Sequence, residues 1–361
     1  MKLETLLNTP VEWKPDRNTT DGVVIGTIIR MVRNLPGYPF PGWSTADSRE
    51  AVANILIPAI KSIRGFKSAY YGEMKNLTYG QRRALLTRKQ LTPGMAARQD
   101  GCHIIIPSRR QVILMVNEEE HLVMHSFHDG FDVDSGIEEV LQMSDKLEEQ
   151  IDFAYSAQRG YLTSIPSEAG DGLQFYTLLH LSALTSANMM SQVTKALEKL
   201  HVSISPYFSD AQDDTGHLFV LFSIPGPEDS LEEMKDSFCD VVNHIIHREL
   251  QVRRKLLADS GLHMLDGIAR AYGLLLNCRR LSIKELRDAI SLLRLGTLVR
   301  LITWEEDERE MLIALNQFCQ EQATIAALAE EHGDPALCLR RASAAREFLN
   351  NHPHHFSDIS I

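Results

Sequence analysis

Val112-Ile113-Leu114-Met115-Val116-Asn117-Glu118-Glu119-Glu120-His121-Leu122 is the stretch on which the reading of this chain turns. Its first five residues are apolar and mostly β-branched, a run of strand length that reads as a buried strand. Three adjacent carboxylates and a histidine follow. Crowded carboxylates repel one another unless a cationic group or a metal meets them. A solvated acidic turn between two strands is the plainer alternative. Residues 121–127 then continue or return in extended form, so the acidic triplet marks the end of a strand.

Working outward, residues 102–106 form a second strand joined to the first by the polar link Pro107-Ser108-Arg109-Arg110. Residues 23–32 are another β-branched run, stopped at 35–42 where three prolines forbid ladder pairing. Residues 46–64 and 80–90 read as helices. Ser135-Gly136-Ile137-Glu138 is a capping-box pattern, followed by apolar residues at helical spacing (Ile137, Val140, Leu141, Leu147, Ile151). A loop over 163–172 leads to an apolar run over 173–184, a helix near 188–200 and a strand over 217–224, which Pro225-Gly226-Pro227 ends. Ser230-Leu231-Glu232-Glu233 is a second capping box. It opens a long helix with Leu231, Met234, Phe238, Val241, Ile245 and Leu250 on one stripe.

Beyond about residue 257 the β-branched runs stop, and helical spacing continues through 281–301, 306–328 and 335–349. Strands interleaved with helices, then helices alone, give an α+β fold followed by an all-helical C-terminal domain. The expected divisions are an N-terminal arm over 1–20, an α+β domain over 21–257 and a helical domain over 258–361. The second boundary falls near Asp259-Ser260-Gly261.

Bulk composition narrows the function classes. A length of 361 residues suits two or three domains, and 44% hydrophobic with 24% charged residues is ordinary for a globular protein. The net charge of −11 argues against nucleic acid or an anionic membrane as a main partner. A local basic patch remains open at Arg82-Arg83 and Arg88-Lys89. Five dispersed cysteines without a CxxC pair read as cytoplasmic thiols, not as a disulfide framework or a zinc site. No apolar stretch has signal-peptide or membrane-spanning length. His352, His354 and His355 cluster in a polar tail expected to fray, and no metal site is expected.

The strand end resembles the Asn-Glu-Glu-Asp-His-Leu segment of the ATP:guanido phosphotransferases, the arginine- and creatine-kinase family. Further phrases extend the likeness over nearly the whole chain after residue 23. Ile28-Ile29-Arg30-Met31-Val32-Arg33-Asn34 is similar to the family's Ser-Ser-Arg-x-Arg-x-Ala-Arg-Asn strand. The run 160–174 is similar to its Gly-Tyr-Leu-Thr-x-Cys-Pro-Thr-Asn-x-Gly-Thr-Gly-x-Arg loop. Gly216-His217-Leu218-Phe219, Ala271-Tyr272-Gly273-Leu274-Leu275 and Arg294-Leu295-Gly296 resemble phrases of the McsB branch, the bacterial protein arginine kinases. The resemblance implies a guanido-kinase catalytic domain, an antiparallel sheet flanked by helices, and a homodimer.

Phosphorylating a guanidinium has clear physical needs. Its lone pairs are delocalised and it stays protonated far above neutral pH, so a carboxylate must orient it and take its proton. The resemblance assigns that base to Glu119, beside Glu118. It places MgATP near Arg30, His121 and Ser167, and an active site would draw a replacement cation from Lys89 or Arg88. Arginines and magnesium must neutralise the triphosphate. Here four of the family's five arginine positions hold Ile28, Val123, Gln174 and Ser205, and the loop cysteine is Ile165. At roughly 1.5–3 kcal/mol per charge-assisted contact, four losses amount to about 6–12 kcal/mol. The low end is roughly 10⁴-fold. In the helical region, Arg341-Ala342 matches part of a phosphoarginine-pocket motif, with Arg340, Arg341 and Arg346 otherwise read as a solvated helix face.

Three functional expectations follow. One is a catalytically impaired pseudokinase that regulates or scaffolds partners such as an McsA-like adaptor and Clp protease components. A second is an active kinase acting on protein arginine side chains with MgATP and Glu119 as base. The third is a sensor of a cationic small molecule, drawn by Glu168, Asp171 and the 118–120 carboxylates. Compensating arginines in the folded cleft favour the second; a net acidic cleft favours the other two.

Overall fold

Ten consecutive residues, Val24–Arg33, are buried without exception. A strand achieves that only in the middle of a sheet covered on both faces, and this one (β1) sits there. The computed structural model describes residues 1–9, 22–98, 100–108, 112–208, 216–224, 230–329 and 334–357. The Arg109-Arg110 link, the Pro225-Gly226-Pro227 stop and most of the N-terminal arm lie outside the described residues.

In chain order the elements are α1 (Leu3–Asn8), β1, α2 (Ala46–Ser62), β2 (Tyr70–Glu73), α3 (Tyr79–Thr87), α4 (Pro93–Ala96), β3 (His103–Ile106), β4 (Ile113–Val116) and β5 (Leu122–Asp129). There follow α5 (Val133–Glu148), the small ribbon β6 (Tyr155–Ser156) and β7 (Gly160–Tyr161), β8 (Leu173–His180), α6 (Ser182–Ser186), α7 (Met190–Leu197), β9 (Val202–Pro206) and β10 (Leu218–Ser223). The remainder is α8 (Leu231–Asn277), α9 (Ile283–Leu298), β11 (Ile302–Trp304), α10 (Glu308–Leu328), α11 (Pro335–Asn350) and β12 (His354–Phe356). Eight strands form one antiparallel sheet in the order β2-β3-β4-β5-β1-β8-β10-β9. This is the expected α+β architecture.

Alternation along β1 sends Ile29 and Met31 into the main core with α2, α5 and α8, where Phe175 and Phe238 meet at 5.6 Å. Val32 faces the other side, among Val123, Met115, Met74 and Met95, and Leu3, Leu6 and Leu7 of α1 pack there too. Residues 3–8 are therefore a docked helix and not an extended arm. Arg88 holds its end by donating to the Leu6, Leu7 and Thr9 carbonyls. Arg82 likewise donates to the Leu77, Ala96 and Arg98 carbonyls. Backbone oxygens consume these arginines, so the anticipated basic patch does not form around them.

Several local expectations need correction. The cap of α5 is Asp132, which accepts the Ser135 N–H at 3.0 Å, so the helix starts before the Ser135 pattern. The helix near 188–200 is α7, and a further short helix, α6, ends the apolar run over 173–184. The Ser230–Glu233 capping box is present. Among the described residues the C-terminal region is helical except for one ribbon, β11 with β12, and that ribbon holds His354 and His355, two of the three histidines expected to fray. The His354 ring lies 4.2 Å from Tyr272, and His352 Nδ1 is 3.0 Å from Glu306. Arg341 is buried and donates to the Leu281 carbonyl, whereas the sequence suggested a solvated face.

The two regions share α8, whose first half packs on the sheet and whose last turns (Ile268, Ala271, Leu275) enter the helical core. Its backbone leaves helical geometry at Ser260 (φ −146°, ψ 32°), a kink and not a linker. Helix α10 then crosses α3. Gln320 Nε2 donates to the Thr87 carbonyl at 2.8 Å, and a Cβ on Gly80 would stand 2.6 Å from the Leu328 carbonyl oxygen.

Helix propensity favours alanine over glycine by about 1 kcal/mol, but this contact is backbone and cannot move aside. Gly80→Ala is therefore expected to lower stability by roughly 1–3 kcal/mol in urea unfolding. A stabilised variant would show that the α3–α10 crossing is looser than described.

Candidate active site at the sheet centre

The sheet register gathers the candidate residues. Arg30 lies opposite His125 on β5 and Gln174 on β8, and Ile28 lies opposite Phe127 and Tyr176. Arg30 is 5% exposed. Its Nη1 donates to Glu168 Oε2 at 3.0 Å and to Gln174 Oε1 at 3.1 Å. Gln174 Nε2 donates to Glu168 Oε1 at 3.0 Å, and the Tyr176 hydroxyl donates to Gln174 Oε1 at 2.8 Å. The four side chains close on one another. Burial by itself lowers the proton affinity of Arg30, but Tyr176, Glu168 and Glu118 outweigh it and the net displacement is upward. Burial pushes the Tyr176 hydroxyl up to about 12, which keeps it a donor.

The acidic triplet rides a tight turn between β4 and β5. Asn117 has φ +60° there, held by its Nδ2 donating to the Arg49 and Gly101 carbonyls. The three glutamates then part. Glu118 is buried and accepts from Thr92 Oγ1 at 2.6 Å and from the Glu119 N–H at 2.7 Å. Glu119 stands exposed at the tip. Desolvation and then Glu118 raise its proton affinity, with Glu168 adding, while Arg30 and Arg98 oppose. Glu120 turns inward, accepting from Asn34 Nδ2 at 2.6 Å and from Ser164 N and Oγ at 2.8 and 2.7 Å. Burial raises it as well.

His121 is a buried brace. Its Nδ1 accepts the Leu35 N–H at 3.0 Å, so Nε2 carries the proton toward the Pro39 carbonyl, also at 3.0 Å. Burial keeps the ring neutral by lowering its proton affinity. The loop over 163–172 packs on the same strand end, with Gly172 so close to Val32 that a Cβ would meet its carbonyl oxygen at 2.9 Å. Glu168 and Ser167 come from a single 3₁₀ turn, Pro166–Glu168, and Ile165 before it is exposed.

The structure does not unite all the candidates. Lys89 is committed elsewhere, its Nζ donating to the Tyr207 carbonyl at 2.7 Å and lying over the Tyr207 ring. Val123 is wholly buried among apolar side chains, and Ile28 packs with Tyr207, Phe208 and Leu178. Ser205 pairs with Val220 on the edge strand β9. Three residues that the sequence reading passed over do face the site: Arg98, Tyr176 and His125. Strand alternation from Gln174 points to Tyr176, and the count from His121 points to His125. Nothing local signals Arg98, which follows α4 in a turn. Around Glu119 the balance is three carboxylates (Glu118, Glu119, Glu168) against two guanidiniums (Arg30, Arg98).

His125 is buried beside Arg30, and neither ring nitrogen has a hydrogen-bond partner among the described residues. Burial first, then Arg30, holds it down to about 3. The unfolded chain takes up that proton near pH 6.5, so this group makes stability fall as pH drops from about 6.5 toward 3. Between pH 7 and pH 5, His125→Phe is expected to lose about 2 kcal/mol less than the parent in urea unfolding. Parallel losses would mean that the ring is not held neutral.

Comparison with known proteins agrees with this geometry. The sequence model of the ATP:guanido phosphotransferase C-terminal catalytic domain matches residues 51–252. A protein-arginine kinase of Bacillus pumilus is 26% identical over 351 residues, covering 95% of this chain and 94% of that one. Those of Halothermothrix orenii and Moorella thermoacetica are 26% and 29% identical, over 84% and 81% of this chain and 87% and 84% of theirs. Among solved structures, a lombricine kinase superposes with a TM-score of 0.56 at 19% identity, covering 69% of this chain and 71% of its own. A duplicated taurocyamine kinase from Schistosoma mansoni gives 0.58 at 17%, covering 79% and 40%. The chain belongs to the ATP:guanido phosphotransferase family, and its sequence relatives there are protein-arginine kinases.

Proposed function

We propose that this chain is a protein-arginine kinase homologue whose phosphoryl-transfer centre is closed by its own side chains, and that it works by binding as a pseudokinase. The observation that carries this reading is the Arg30–Glu168–Gln174 network. An incoming triphosphate must take Arg30 from a carboxylate with which it shares a buried ion pair, and it then faces Glu168, Glu118 and Glu119. Gln174 stands across the strand pair where the family carries an arginine, and it spends its amide on Glu168. Ile28 and Val123 face apolar neighbours and offer a phosphate nothing. In this reading these residues do not fit MgATP.

In this reading the protein regulates or scaffolds partners in cytoplasmic protein quality control, with an McsA-like adaptor and Clp components as the expected class, and does so as a homodimer. The acidic balance around Glu119 suits a cationic side chain, an arginine of a bound protein above all. A second reading keeps specific support. Glu119 is exposed with a raised proton affinity, as suits a general base working closer to neutrality, and Arg98 supplies a cation that the sequence did not reveal. That arrangement describes a slow kinase acting on protein arginine.

Calorimetry separates the two readings. MgATP is expected to give no saturable heat up to millimolar nucleotide, and the double variant Glu168→Asn, Gln174→Arg is expected to gain at least tenfold in affinity. Micromolar binding by the parent that vanishes in Arg30→Ala, together with arginine phosphorylation lost in Glu119→Gln, would establish the kinase instead.

A further inference from the structure

The side chain of Trp43 stands 74% exposed, more than any other large apolar side chain among the described residues. A single exposed apolar residue needs no explanation, but this one belongs to a braced ledge. It ends the 3₁₀ turn Pro41–Trp43, whose Pro41 is buried. The Trp43 N–H donates to the Phe40 carbonyl at 2.9 Å, and the two rings lie 6.2 Å apart. Phe40 and Tyr38, both half-buried, each stand 6.3 Å from the His121 ring. The aromatic line thus runs from solvent to the end of the acidic triplet.

Both ends of the turn between β4 and β5 hold this ledge. At one end His121 Nε2 donates to the Pro39 carbonyl at 3.0 Å. At the other, Asn117 Nδ2 donates to the Arg49 carbonyl at 2.8 Å, and Arg49 Nη1 donates to the Ser44 carbonyl at 2.8 Å. Glu119 is exposed on the turn between those anchors. On the loop side, the Ser164 hydroxyl donates to Glu120 at 2.7 Å, and the next residue, Ile165, is 39% exposed. The charge along the ledge is acidic. Asp47, Glu50, Asp100 and Glu119 are exposed, against the half-buried Arg49 and Arg98. Arg49 spends its Nε and Nη1 on the Asp100 and Ser44 carbonyls. An exposed indole beside carboxylates attracts a guanidinium, whose flat face stacks on the ring.

We propose that this ledge docks a basic segment of a partner protein, one arginine of which stacks on Trp43 while Glu119 takes a second cationic side chain. Charge complementarity names the occupant, since an acidic segment is repelled by the four carboxylates and an apolar one covers them without pairing them. Ring spacings of 6.2 and 6.3 Å lead from Trp43 through Phe40 to His121. An extended chain advancing roughly 3.3–3.6 Å per residue covers that path in about four residues, which sets the separation of the two cations. The Glu119 contact rests on the functional reading above. The Trp43 contact is independent of whether the sheet centre accepts nucleotide.

The test is calorimetric titration of the full chain with a glycine peptide carrying two arginines about four positions apart, and with the same peptide bearing neutral citrulline at both. Saturable binding of the arginine peptide is expected, weakened about threefold or more in Trp43→Ala, kept in Trp43→Phe and lost with citrulline. No saturable binding by the parent up to millimolar peptide would overturn the proposal, as would equal binding of the citrulline peptide. Binding weakened by Glu119→Gln and untouched by Trp43→Ala overturns the ledge and leaves the reading of Glu119 standing. Binding weakened by Trp43→Ala alone supports the ledge and removes the arginine contact from Glu119. Light scattering covers the remaining occupant: self-association lost in Trp43→Ala, without peptide binding, assigns the ledge to a second copy and overturns the proposal. Trp43 is exposed, so its variants are expected to fold, which circular dichroism checks.

Discussion

A guanidinium at the middle of the central strand must be matched by negative charge, and the loop over 163–172 is arranged around that need. Arg30 has strands on both sides and little exposure, so its charge is stable only with an anion close by. Glu168 supplies one from within the chain. Gln174 and Tyr176, both half-buried, then orient their polar atoms around the pair. A second polar staple, Asn34 and Ser164 meeting on Glu120, fixes the near end of the same loop. The loop is thus pinned at two buried carboxylates. One guanidinium edge serves one anion at a time, and here that anion is Glu168.

The helical region is not a separate appendage. Its α10 sends Ala323 and Ala327 into the two apolar clusters on the sheet face that also bears Arg30. Its α9 buries Arg287 and Arg294, and α8 runs through both regions with a kink at Ser260. The helical region is therefore joined to the face where Arg30 sits through packed helices, in place of a flexible linker.

The acidic triplet shows how one stretch of sequence divides into different chemistries. Three consecutive glutamates are equivalent as letters. In the fold, the left-handed turn at Asn117 aims Glu118 toward Thr92, leaves Glu119 at the tip and turns Glu120 into the loop. Only Glu119 retains the exposure that either a base or a docking contact requires. His121, which the family resemblance placed near the nucleotide, is a neutral brace between two backbone groups.

The sequence determined the strands and helices whose periodicity was strong, the capping box at Ser230, the family, and the residue types at the strand positions Ile28, Val123 and Gln174. Those features are local, since side-chain alternation, capping and residue identity need no distant partner. Asp132 in place of Ser135 as the cap, the ribbon that orders His354, and the diversion of Lys89 to Tyr207 rest on contacts between residues far apart in the chain. The same holds for the pairing of Arg30 with Glu168 and the contact of buried Arg294 with the Gly22 carbonyl. Each depends on which buried polar atom lies within about 3 Å of another, and only the packed tertiary structure sets that distance.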